Sequence, residues 1–194
     1  MARPKEFDRD VAVERAMSVF WSKGYAATST DDLLQAMKIG RQSLYDTFGD
    51  KKRLYVEALE RYQRESVAGH IERLHSGASP LAGIEALLVG LISPDEGRRH
   101  MGCMGVNSVS EFGNADTDLV KLRTRSSRLL HKALIERLQA ARDAGEIAGS
   151  VDLEEAARFV GTTMLGLQVA ARAGETIRAL RKTAGFAIAG LKNR

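Results

Sequence analysis

Cysteine is almost absent: Cys103 stands alone among 194 residues, so the chain forms no internal disulfide and no multi-cysteine zinc site. Proline is scarce too, and three in the whole chain leave room for long uninterrupted helices. Aromatic residues make up only 6% and β-branched runs are few, which argues against a sandwich or barrel. No segment approaches the roughly 18 consecutive apolar residues of a membrane span. Met1–Asp8 carries no apolar signal core. Neither sign of charge dominates: a net +4 and a pI near 9.3 permit nucleic-acid binding without pointing to it. No Ser-His-Asp elbow, glycine-rich phosphate loop or metalloprotease motif is found, so an enzyme is not expected, nor a cofactor. What remains is 44% hydrophobic and 28% charged, enough to bury a core. The expectation is a cytoplasmic, all-α protein of one to two domains, with no membrane partner.

Apolar residues recur at helical spacing almost throughout and predict about nine helices. Asp8 caps a first helix carrying Val13, Met17, Phe20 and Trp21, which Gly24 closes. Thr30 is the expected cap of a short second helix, and Arg41 to Phe48 form a third. Gly49-Asp50 restarts the chain as a long fourth helix. Ser79-Pro80 opens a fifth, and residues 93–102 read as a loop. A short helix from about Cys103 to Phe112 follows. Asp116 caps a long helix with Leu119, Leu122, Leu129, Leu134 and Leu138, and Asp152 caps another through Phe159, Val160, Met164 and Leu167. The last runs from about Glu175. The division expected is residues 1–50 and 51–194, with the junction at the fourth helix and no flexible linker.

Thr30 to Phe48 is the informative stretch. Two helices of about two turns each are too short to persist alone. They require Leu33, Leu34, Ile39, Leu44 and Phe48 to pack on the first and fourth helices. That is helix-turn-helix geometry, in which the second short helix offers its N-terminal residues to a major groove. Its polar positions are Arg41, Gln42, Ser43, Asp46 and Thr47. Arginine can make two hydrogen bonds to guanine and glutamine two to adenine. An ordinary helical hairpin with a solvated polar face fits the same pattern.

Phe7 to Tyr62 resembles the N-terminal DNA-binding domain of the TetR/AcrR family of bacterial transcriptional regulators. The resemblance rests on Ala16, Phe20, Gly24-Tyr25, Thr28-Ser29-Thr30, Leu33, Leu44-Tyr45-x-x-Phe48, Lys51, Leu54 and Ala58. It implies an N-terminal three-helix helix-turn-helix domain ahead of a C-terminal helical bundle for ligand binding and dimerisation. It implies a homodimer reading a palindromic double-stranded DNA operator, and a repressor released by a small-molecule inducer. By the same resemblance, Thr30 and Lys51 contact phosphates, Arg41, Gln42 and Ser43 face base edges beside Thr47, and Tyr45 meets the backbone. Arg3, in an N-terminal arm with Lys5, reaches the minor groove. The chain departs from the family where Lys38 replaces a usual glycine and Gly40 a usual Ser or Thr. A left-handed Lys38 costs roughly 1 kcal/mol relative to glycine.

Gly102-Cys103-Met104-Gly105-Val106-Asn107 resembles a stretch in a family branch that includes electrophile and oxidant sensors. A cysteine at a helix N-terminus tends toward thiolate, and Arg98, Arg99 and His100 stand just upstream. The alternative function is therefore a thiol-based sensing repressor acting through Cys103. His100-x-x-Cys103 offers two metal ligands without a third, so no metal site is assigned. The favoured site is an apolar pocket in the C-terminal bundle. Its candidate residues are Met101, Cys103, Met104, Phe112, Met164 and Leu167, with Asn107 and Gln168 as polar anchors. Ala156, Ala157, Gly161, Gly166, Ala170, Ala171, Ala184, Ala187 and Gly190 give the last two helices small-residue faces, expected to pair across a dimer.

Overall fold

Residues 7–192 are described by a computed structural model. Among them the chain forms ten helices and no strand: α1 Arg9–Lys23, α2 Thr30–Met37, α3 Arg41–Phe48, α4 Lys51–Ser76, α5 Pro80–Gly90, α6 Glu96–Met101, α7 Met104–Phe112, α8 Thr117–Asp143, α9 Leu153–Arg172 and α10 Ile177–Lys192. The fold class is the one expected, with one helix more. The addition is α6, inside the stretch that reads as a loop. Asp95 caps it by accepting from the Arg98 amide, and Gly102 ends it at φ +62°. A helix of six residues buries no side chain of its own and so leaves no apolar period to detect.

Side-chain caps set most of the other starts. Asp8, Asp50, Ser79, Asp116 and Asp152 each accept from backbone amides of the first turn, satisfying donors that have no partner within the helix. Ser29, not Thr30, caps α2. Its hydroxyl accepts from the Asp32 amide while the Asp32 carboxylate accepts from the Ser29 amide, a reciprocal capping box. Thr30 thus becomes the first helical residue. The last helix begins two residues later than expected, at Ile177.

The helices enclose two apolar cores. The first gathers Ala12, Val13, Ala16, Met17 and Phe20 of α1, Leu33 and Met37 of α2, and Leu44 and Phe48 of α3, against Leu54, Tyr55, Ala58 and Leu59 of α4. The second joins Leu74, at the far end of α4, to α5, α8, α9 and α10. With 26 residues, α4 is about 39 Å long and belongs to both cores. The first core also recruits Met104 of α7 and Leu119 of α8, so the two halves share packed side chains. Two residues placed inward by periodicity face out instead, Leu129 on α8 and Phe159 on α9.

A helix-turn-helix surface and its links to the bundle

Lys38 ends α2 at φ 57°, ψ 45°, in the left-handed region, and its amide donates to the Leu34 carbonyl. This turn swings the chain into α3 within three residues. Gly40 begins α3 without a side-chain cap. Leu44 and Phe48 are buried beneath it, and Ile39 packs against the same core. The opposite side presents Arg41, Gln42, Tyr45 and Asp46 to solvent, with Ser43 and Thr47 half-buried at the edges. The exposed face of α3 is therefore narrower than its polar residues suggest.

Carboxylates occupy the two side chains expected to read bases. The Arg41 guanidinium donates to Asp31 of α2 at 2.6 Å, and the Gln42 amide donates to Asp46 at 2.7 Å. Nothing in the spacing of Arg41 indicates Asp31 as its partner; only the turn at Lys38 brings them together. Thr30 is half-buried in the first turn of α2. Lys51 lies over the Tyr25 ring, 4.3 Å from its centroid, at the start of α4. Arg3 lies outside the described residues. Beside this surface Lys23 pairs with Asp32 at 2.7 Å. That contact, with the amide and hydroxyl of Ser29, holds the Asp32 carboxyl down to about 2.

Three contacts tie this module to the bundle. The Glu111 carboxylate of α7 accepts from the Tyr25 and Ala26 amides in the α1–α2 turn, at 3.1 and 2.9 Å. Gly24 admits it: at φ +80° it takes a conformation costly for other residues, and an added Cβ would stand 2.8 Å from the Glu111 Oε1. Lys52 of α4 pairs with Asp116 at 2.7 Å and sits 3.9 Å from the Phe112 centroid, with Tyr25 and Tyr55 close by. The Lys52 contact is the main reason the Asp116 carboxyl is held below its usual range. The third is the Trp21 indole, which donates to the Gly102 carbonyl at 3.0 Å.

The eight candidate pocket residues do not converge. Met104 belongs to the first core and Met164 and Leu167 to the second. Phe112 stacks among Tyr25 and Tyr55, at centroid distances of 5.2 and 5.5 Å. The Asn107 amide is spent on the Met101 carbonyl. Cys103 is the half-buried N-cap of α7. It touches Tyr62, whose hydroxyl is pushed above its ordinary range by burial first and by the Cys103 sulfur next. The arginines upstream are engaged elsewhere: Arg98 stacks on Trp21, and Arg99 donates to the Ser93 and Pro94 carbonyls. Gln168 alone of the eight borders a cavity of about 610 Å³ between α1, α4, α6 and α9. Sequence reasoning missed its other walls, because they come from positions far apart in the chain.

On the last two helices the small residues divide. Ala156, Ala157, Ala171, Ala184 and Ala187 are buried where α9 meets α10 within one chain. Gly161, Gly166 and Gly190 have open space where a side chain would be. Beside them Phe159, Leu165, Val169 and Phe186 are exposed, Phe186 at 82%.

Residues 12–58 match the profile of the bacterial regulatory proteins of the tetR family, and residues 80–185 that of the tetracyclin repressor-like C-terminal domain. An uncharacterized HTH-type transcriptional regulator, YezE of Bacillus subtilis (strain 168), is 34% identical over 89% of this chain and 90% of its own. The HTH-type transcriptional repressor ComR of Escherichia coli (strain K12) is 29% identical over 94% and 88%. Among solved structures, a cysteine mutant of the TetR family transcriptional regulator CifR, complexed with 26bp double-strand operator DNA, superposes with a TM-score of 0.79. It is 30% identical, over 98% of this chain and all of that one.

Proposed function

Because the chain belongs to the TetR family and is a DNA-binding transcriptional regulator, not an enzyme, we propose that it is a homodimeric repressor, released from a palindromic operator by a small-molecule inducer. The observation that carries the dimer is the exposed apolar face of α9 and α10. Phe186, Phe159, Leu165 and Val169 lie in the open, and side-chain-free glycines stand among them. Phe186 and Phe159 together flank one depression. An isologous contact through this face covers them and supplies the second recognition helix that a two-fold operator demands.

On the DNA side, Arg41 and Gln42 exchange Asp31 and Asp46 for base edges, with Ser43 and Thr47 beside them. Tyr45, Thr30 and Lys51 meet the backbone, and Arg3 completes the contact from the arm. The inducer acts by binding better to the arrangement in which the two α3 helices no longer fit successive grooves. Glu111, Lys52 and Trp21 are the contacts through which the bundle would move the reading head.

Sedimentation and operator binding test this reading. Phe186→Asp should give monomers with at least about tenfold weaker operator binding, since single half-sites lose the linkage between two. A parent that is monomeric at micromolar concentration would refute it. Ala171 is no test of the interface, because it is buried inside its own chain.

A second reading has one observation behind it: Cys103 adjoins Tyr62, which lines the cavity of about 610 Å³. N-ethylmaleimide decides between them. Operator release in the parent, lost in Cys103→Ser, favours the thiol sensor.

A further inference from the structure

We propose that the cavity between the DNA-reading module and the bundle is a binding site for an organic anion, one bearing a carboxylate, sulfonate or phosphate on a planar apolar body. The inference rests on the ligand-responsive reading above and names where the ligand sits and what chemistry it has. The cavity holds about 610 Å³, within the range of small-molecule sites. Three guanidiniums border it: Arg73 from α4, and Arg98 and Arg99 from α6. Among the described residues none of the three forms an ion pair with a carboxylate. The single acidic residue on the wall, Glu65, is already paired with Arg61 at 2.9 Å. The Arg99 Nε is buried and has no hydrogen-bond partner among the described residues.

The groups beside Arg73 do not neutralise it. Arg73 meets His70 Nδ1 at 3.3 Å, and burial followed by the Arg73 charge keeps that imidazole down to about 4, so it stays neutral near pH 7. Gly90 leaves the space that Arg73 occupies; an added Cβ would lie 2.3 Å from its Cδ. Guanidinium groups concentrated in a concave site without carboxylate partners favour a carboxylate, sulfonate or phosphate through charge-assisted hydrogen bonds. Trp21 and Tyr62, with ring centroids 4.9 Å apart, supply the apolar wall, and Gln168 a neutral polar group.

The site also touches the element that orients the reading head. Met17 and Trp21 line it from α1, Arg98 stacks 5.6 Å from the Trp21 ring, and the indole bonds to the Gly102 carbonyl. An anion that draws Arg98 off Trp21 therefore acts on α1, which packs directly on α2 and α4.

The probe is 8-anilinonaphthalene-1-sulfonate, with N-phenyl-1-naphthylamine as its uncharged counterpart. Trp21 is the only tryptophan, so its quenching reports probe bound near the cavity, and dependence on Arg98 and Arg99 separates that binding from probe on the exposed α9–α10 face. The sulfonate should quench Trp21 and bind at least about tenfold more tightly than the amine. Arg99→Gln, and separately the solvent-exposed Arg98→Gln, should each weaken the sulfonate about five- to tenfold and leave the amine unchanged. Equal binding of both probes, unaltered binding in the two variants, or fluorescence without transfer from Trp21 would overturn the site. A parallel titration of the operator complex separates the two readings. Arginine-dependent binding that leaves DNA bound upholds the site and removes its role as inducer pocket. Operator release by an uncharged compound, with no arginine-dependent binding, upholds inducible repression and removes the anion site.

Discussion

Asp31→Asn should tighten operator binding, and the structure allows its size to be worked out. In the free protein Asp31 holds Arg41 at 2.6 Å, with side chains 79% and 56% exposed. An ion pair so open to water is worth only about 0.2–1 kcal/mol, which must be surrendered before Arg41 reaches a base. Removing a carboxylate on the order of 10 Å from the phosphates relieves roughly another 0.4 kcal/mol, less in salt. The two together predict about threefold to tenfold higher affinity at low salt, shrinking as salt rises. Fluorescence anisotropy on a labelled operator, at about 50 and 200 mM salt, measures it. The same substitution in an Arg41→Ala background should recover only the smaller, long-range part. Weaker binding by Asp31→Asn would show that the carboxylate aims the guanidinium, and equal gains in both backgrounds would show that Arg41 is not involved. Asp31 lies in the first turn of α2, where a negative charge favours the helix, so a loss of a few tenths of a kcal/mol in folding stability accompanies the gain.

Three further outcomes follow from named contacts. Lys38→Gly should raise stability by about 0.5–1 kcal/mol, because glycine adopts φ 57° without strain and the exposed lysine side chain forms no hydrogen bond or ion pair among the described residues; Lys38→Ala keeps a Cβ and should gain nothing. Urea unfolding of both variants checks this, and equal stabilisation by alanine would refute the strain argument. His70 is held down to about 4 against an unfolded value near 6.5, so the unfolded chain binds a proton the native one refuses. Stability should be full above about pH 6.5 and fall by at most about 3 kcal/mol toward pH 4, and a parent no more pH-sensitive than His70→Gln would contradict it. Glu111→Ala removes the acceptor of two amides in the α1–α2 turn and should lower stability by about 1 kcal/mol, or roughly 2–4 °C by calorimetry. An unchanged transition would mean that this contact does not hold the turn.

Local signals made much of the fold legible. Asp8, Ser79, Asp116 and Asp152 cap where expected, because a cap is a bond between residues two or three apart. The run Thr28–Ser29–Thr30 shows the limit, since three adjacent hydroxyl residues differ little in sequence and the Asp32 carboxylate decides that Ser29 caps. Phe159 and Leu129 carry the helical period as well as any core residue does. Their exposure depends on which face of the helix meets a neighbour, which periodicity does not encode.

The sequence by itself determined every helix but α6, the short-turn-short unit at Thr30–Phe48 and the family, because each depends on spacing along the chain. Tertiary structure alone decided which groups meet: Asp31 with Arg41, Glu111 with the Tyr25 and Ala26 amides, and Arg73 with Arg98 and Arg99 around Trp21. Those partners lie between 10 and 86 positions apart in the first two cases. A charge reveals nothing about its partner until folding sets the distance, and electrostatic energy depends on that distance and on the water left between.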